Sequence, residues 1–306
     1  MKHYSVLKEE LIDSLNIKED GIYVDATIGY AGDAKEILKR IKRGFLFAFD
    51  ADKDAVKYSF EELSKIGDNF LIFNTNFVNM EEELKNKNVL EVDGIIFDLG
   101  FSSPQIDEAE RGFSFMKDGV LDMRLGDTGI SALEIINEYD EEKLKKIFFE
   151  YGEEKLSGVI ARKIIEKRKF KKIERTLELV EIIKEAVGAN YFYKFHPERK
   201  IFQAIRIEVN DELKVLENVL PQAIRLIKKG GRLSVITFHS LEDRIVKKIF
   251  QKYSEVDELV KGLPDIPEEY KPLIKIINKK PIIASEKELL ENSRSRSAKL
   301  RIVERV

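Results

Sequence analysis

Apolar and polar positions follow two regimes along this chain. Near the N-terminus, in the stretch Gly21 to Asp33, a short β-type run meets a loop holding Gly29 and Gly32, and the helical pattern Ala34 to Ile41 follows. A second apolar run, Phe45 to Phe49, ends at Asp50 and leads into a helical stretch from Asp54 to Leu63. Together they predict a βαβα unit. Further buried strands are expected at Phe70 to Phe73, Gly94 to Asp98 and Arg232 to Phe238. Strands that are apolar at successive positions and alternate with helices indicate a mostly parallel sheet covered on both faces.

From about Glu108 to Lys200 the strand signals vanish and a helical period dominates. Leu144, Ile147, Phe148 and Tyr151 fall at i, i+3, i+4 and i+7, and Leu179, Ile182, Ile183 and Ala186 repeat the spacing behind Thr176 as the expected N-cap, with Glu178 in the first turn. The expected organisation is an α/β domain in two parts, residues 1–107 and 201–306, interrupted by an all-helical domain at 108–200. A long helix over 202–228, closed by Gly230-Gly231, leads back to the sheet. Ile274 to Ile283 and Leu300 to Val303 read as two closing strands in a hairpin edge.

Composition narrows the chemistry. With 43% hydrophobic and 36% charged residues, 306 positions suit a globular fold. No apolar stretch reaches bilayer length and the first residues lack the apolar core of a secretion signal, so a cytoplasmic protein with no membrane partner is expected. The absence of cysteine excludes disulfides, thiolate zinc sites and cysteine nucleophiles. A net charge of −3 confines any nucleic-acid contact to local basic patches. One candidate is the C-terminal run Arg294, Arg296, Lys299 and Arg301, interleaved with serines, which reads either as a solvated tail or as a phosphate contact.

Ligands of open α/β sheets bind at the carboxyl ends of the strands, which directs attention to three loops. In the first, Gly29 and Gly32 would let the backbone approach a ligand, but Ala31 occupies the middle glycine position of a dinucleotide fingerprint, which disfavours nicotinamide cofactors. In the second, Asp50 ends a strand where it could accept hydrogen bonds from a ribose. Asp50, Asp52, Asp54 and Glu61 also carry calcium-loop spacing, but Ala55 stands where that loop needs glycine. In the third, Asp98 and Phe101 have the spacing of the acid and the aromatic in the D-P-P-Y element of amino-methyltransferases. That pair could hold a target amine and stack on a flipped base, or be a strand-end acid beside a core aromatic. His3, His196 and His239 show no metal-ligand spacing, so no metal site is expected. A Ser–His–Asp reading of Phe238 to Arg244 lacks its G-x-S-x-G elbow.

Ordered blocks of sequence then carry a resemblance. His3-x-Ser5-Val6-Leu7, Asp25-Ala26-Thr27, Asp98 through Gln105, Arg111 to Phe115, Leu121-Asp122-Met123-Arg124, Tyr151 to Glu154, Phe202 to Ile207, Val209 to Leu213, Phe238 to Arg244 and Arg294 to Ala298 span nearly the whole chain. In these it resembles the bacterial ribosomal RNA small subunit methyltransferase H family, also called MraW. The resemblance implies a Rossmann-like S-adenosylmethionine-dependent methyltransferase sheet with an inserted all-helical, substrate-recognition domain. It implies N4-methylation of a cytidine in the decoding region of 16S rRNA in the small ribosomal subunit, and is compatible with a homodimer. Carried over by position, Ala31, Gly32, Asp33, Asp50, Phe77, Asp98 and Gln105 would hold the cofactor. Asp98 and Phe101 would act at the target base, and Ser102, Ser103, Arg124, Arg294 and Arg296 would contact the substrate. Two positions depart from the family pattern: Asp33 replaces an expected histidine, and Val120 replaces a proline. The first leaves room for a divergent paralogue acting on another RNA site or a small molecule, and a non-catalytic cofactor-binding assembly factor is a further alternative. The missing cysteine closes cytosine C5 methylation, which begins with thiolate attack on the ring.

Overall fold

A computed structural model describes residues 5–101, 107–126, 128–256, 260 and 264–306. The chain divides into two compact units, Met1–Gly100 with Leu213–Val306, and Phe101–Glu212.

The first unit is a sheet of seven strands in the order β3-β2-β1-β4-β5-β7-β6. The strands are β1 Ile22–Asp25, β2 Phe45–Phe49, β3 Phe70–Phe73, β4 Val92–Asp98, β5 Ile227–Thr237, β6 Ile274–Ile276 and β7 Lys299–Arg305. The first five run parallel, while β7 lies antiparallel between β5 and β6. Helices are numbered through the whole chain, and this unit contains α1 Lys8–Ser14, α2 Gly32–Arg40, α3 Lys53–Leu63, α4 Met80–Asn86, α11 Glu212–Leu226, α12 Ser240–Ser254 and α13 Glu286–Glu291.

Successive strand side chains point to opposite faces, and here both faces are buried. Val24, Phe47, Ile95, Phe97, Leu233 and Val235 pack with α4, α11 and α12, whereas Tyr23, Leu46, Ala48, Ile96 and Ile236 pack with α1 and α2. This double burial is why β2 and β3 are apolar throughout and β4 carries the run Ile95-Ile96-Phe97. The closing strands do form an antiparallel edge pair, but α13 intervenes between them and Ile282 makes only an isolated bridge to Leu300.

The second unit is helical: α5 Ala132–Glu138, α6 Glu141–Glu150, α7 Ser157–Arg168, α8 Thr176–Val187, α9 Ala189–Phe195 and α10 Pro197–Asn210. Its core contains Leu144, Ile147, Phe148, Leu179, Ile182 and Ile183, the residues of the expected stripes. Two details correct the sequence reading. Thr176 is the first residue of α8, with Arg175 at the N-cap, and its hydroxyl donates to the Lys117 carbonyl and accepts from the Gly119 amide instead of capping. The helix expected over 202–228 is two helices. Asp211 breaks them in the left-handed region at φ 50°, which Asp tolerates better than most side chains, and β5 has already begun at Ile227.

Candidate active site

Strand order reverses between β1 and β4, the position where an open α/β sheet leaves a crevice beyond its carboxyl edge. Asp25 ends β1 and Asp98 ends β4. Thr27 straps the two strand ends together: its amide donates to Asp25 Oδ1 at 3.1 Å, and its hydroxyl accepts from the Asp98 amide at 2.7 Å. The Asp25-Ala26-Thr27 block was visible in the sequence, but its role depends on a partner strand far along the chain.

The loop after β1 is built from left-handed residues, with φ 47° at Gly29 and 60° at Ala31. Gly29 donates its amide to Asp50 Oδ2 at 3.0 Å, and its carbonyl accepts from the Ser59 hydroxyl at 2.7 Å. A side chain at Gly29 would meet nothing closer than 3.9 Å, whereas a Cβ at Gly32 would lie 2.1 Å from Ser5 Oγ. The close approach of the N-terminal segment is therefore one reason that position 32 is glycine. Asp50 also accepts from the Asp52 amide at 2.9 Å, and Asp52 caps α3. The calcium-like spacing is thus used by a turn and a helix cap. Phe77 opens a short 3₁₀ turn and meets Phe97 edge-on at 5.4 Å, packed against the core beneath the sheet.

Electrostatically the crevice is unusual, because like charges gather where water is scarce. Burial pushes the Asp25 carboxyl up to about 8, helped by Asp33 and Asp50 and opposed by the Thr27 amide. Burial likewise raises Asp33 to about 6, against the pull of Lys8 and a hydrogen bond from Ser5. Asp98 is held well above the ordinary carboxylate range by burial first, then by Asp33, Asp25 and Glu242. Glu242 is itself buried, accepting from the Phe238 and His239 amides in the cap of α12. Among the described residues, Asp33 Oδ1 and Asp98 Oδ1 are buried and have no hydrogen-bond partner. Orphaned carboxylate oxygens among other carboxylates are expensive unless a cation or donor meets them. The donor implied by the resemblance carries a sulfonium and an ammonium, so these residues fit it.

The second unit holds an aromatic and arginine cluster. Phe101 is half-buried, the guanidinium of Arg206 lies over its ring at 4.3 Å, and Phe113 packs against it at 4.9 Å. It is not a core filler. Arg206 is aligned by two 2.8 Å hydrogen bonds to Glu212 across the break between α10 and α11. Arg124 makes a bidentate pair with Asp122, and Asn210 holds the same turn through Met123 and Leu125. Ser102, Ser103 and Gln105 lie outside the described residues. Of the C-terminal basic run, Arg294 and Arg296 are exposed, but Lys299 and Arg301 both pair with Asp243, so the run is not four solvated cations. Sequence reasoning assigned no role to Asp25, Glu242 or Arg206. The His239 ring accepts the Glu242 amide at the start of α12.

The model of the MraW methylase family matches residues 1–306. A protein of Exiguobacterium sibiricum named ribosomal RNA small subunit methyltransferase H is 52% identical over 100% of this chain and 98% of its own length. One of Oceanobacillus iheyensis with the same name is 52% identical over 100% of this chain and 95% of its own. Among solved structures, an rRNA methylase from Streptococcus thermophilus is similar with a TM-score of 0.43 and 12% identity, covering 98% of this chain and 93% of that one.

Proposed function

Since this chain belongs to the MraW methylase family, we propose that it transfers the methyl group of S-adenosylmethionine to the N4 amine of a cytidine in the decoding region of 16S rRNA in the small ribosomal subunit. The observation that carries the reading is the pair of orphaned buried oxygens on Asp33 and Asp98 within a crevice of like charges. When bound there, the donor supplies a methyl carbon already activated by its sulfonium.

What remains for the protein is positioning and proton management. The cytosine amine is a weak nucleophile because its lone pair is delocalised into the ring. Asp98 at the end of β4 accepts a hydrogen bond from that amine and so makes the lone pair more available. Forming the nitrogen–carbon bond obliges the nitrogen to lose a proton. Asp98, a stronger base than an ordinary carboxylate because of its burial and then its acidic neighbours, is suited to receive it. Asp50 and the Gly29 loop contribute the ribose end of the site, and Asp33 the charge opposite the donor's cationic groups. Within the helical unit, Phe101, with Arg206 over its ring and Phe113 packed against it, is the aromatic whose face suits a stacked base.

Small subunits from a strain lacking this gene, incubated with the protein and labelled donor, test the proposal. Nucleoside mass spectrometry should find the label in N4-methylated cytidine, and mapping should place it at one decoding-region nucleotide. Label on another nucleotide, or none, would overturn it.

A further inference from the structure

At −3 the whole chain is mildly acidic, yet Lys167-Arg168-Lys169-Phe170-Lys171-Lys172 sets five cations around one aromatic with no acid among them. This run forms the tip between α7 and α8. Lys169 to Lys172 are all exposed, and Phe170 is 86% exposed, although the chain is buried again at Ile173.

Both ends of the tip are pinned. Arg168 donates to the Ile136 carbonyl at 2.8 Å, and Asn137 clamps Ile173 by accepting its amide at 3.0 Å and donating to its carbonyl at 2.8 Å. Lys167 pairs with Glu185 at 2.7 Å and Lys171 with Glu178 at 3.3 Å. Among the described residues neither Lys169 nor Lys172 makes an ion pair. The outcome is a phenylalanine held away from the core, flanked along the chain by the exposed Lys169 and Lys172, on a loop whose ends are ordered in advance. Such pre-ordering lowers the cost of binding.

We propose that this tip grips an unpaired segment of RNA, with Phe170 stacking on a base and Lys169 and Lys172 contacting the neighbouring phosphates. An aromatic face takes any base, and ammonium groups take the backbone, so the contact would add affinity with little sequence preference. The inference rests on ribosomal RNA being the substrate. Because the site chemistry belongs to other residues, the tip should act on subunit affinity alone.

The test uses the full chain with Phe170→Ala, with Phe170→Trp, and with the double change Lys169→Ala and Lys172→Ala, all at exposed positions. Unmethylated small subunits are titrated over a salt series, and methyl transfer is measured alongside. Phe170→Ala should raise the subunit Kd and KM by about ten-fold while Phe170→Trp restores them, in keeping with the worth of a base stack. The double variant should reduce the slope of log K against log salt by about 1.4, two single-strand phosphate contacts. In every variant kcat and donor affinity should stay at the parent values. If the parent methylates subunits but the variants keep its KM and salt slope, the tip proposal is wrong and the substrate reading stands. Variants that lose only binding to phosphatidylglycerol vesicles would likewise overturn it in favour of a membrane contact. If the parent transfers nothing to subunits, the substrate reading itself fails, and the tip proposal with it.

Discussion

Asp25, Asp33 and Asp98 tie folding and ligand binding to the same protons. A carboxyl raised above its unfolded value holds its proton longer in the folded chain than in the unfolded one, so stability falls as pH rises between the two values. For Asp25 that window runs from about 4 to about 8, and for Asp33 from about 4 to about 6. Without ligand, the protein is therefore expected to lose thermal stability as pH climbs from 5 to 8. A cationic ligand reverses the preference by stabilising the charged forms. S-adenosylmethionine should accordingly gain affinity over the same window relative to S-adenosylhomocysteine, its neutral thioether product. Calorimetric titration of both ligands at several pH values checks this, and a pH-independent ratio would remove the charge argument. Asp98→Asn keeps the shape of the side chain but cannot take up a proton. It is expected to slow single-turnover transfer at saturating donor by at least about ten-fold, the lower end of what a positioned acid or base contributes, and an unchanged rate would take Asp98 out of the chemistry.

At the level of elements, the break at Asp211 depends on Asn210. The Asn210 side chain donates to the Arg206 and Met123 carbonyls and accepts from the Leu125 amide. Asn210→Ala would remove the side-chain partner of the Met123 carbonyl and the Leu125 amide, while the Arg206 carbonyl keeps its helical bond. The expected loss is about 2 kcal/mol, read from denaturant unfolding of the parent and the variant. A loss under about 0.5 kcal/mol would mean that water replaces the side chain. The same break shows what sequence patterns miss. Ile205, Ile207, Val209, Leu213 and Leu216 continue an apolar helical pattern through Asp211, so periodicity alone predicts one helix. What stops it is a hydrogen-bonded clasp to a turn near residue 123. The strands were legible for the opposite reason, since burial on both faces writes itself into every position of β2 and into Ile95, Ile96 and Phe97 of β4. Asp50 and Asp98 were legible as acids at strand ends. Asp25 was not, because its environment comes from Asp33, Asp50 and the Thr27 strap.

For the whole molecule, the alternation of strands and helices sufficed to give the layered sheet and to set the helical segment apart. The division itself falls at Gly100 and Glu212, where the apolar stripes carry no mark. Among the described residues no helix is long and apolar enough to cross a membrane. One arrangement bears on how the chain reaches its native state. β4 and β5 are neighbours in the sheet, with Asp98 opposite Ile236, yet the entire helical unit is threaded between them. Pairing these strands means closing a very long loop, which is slow while the intervening chain is unstructured. If the helices collapse first, around the core they own, the distance to be searched shrinks. The helical unit would then serve its neighbour during biogenesis as an internal clamp, long before any substrate arrives.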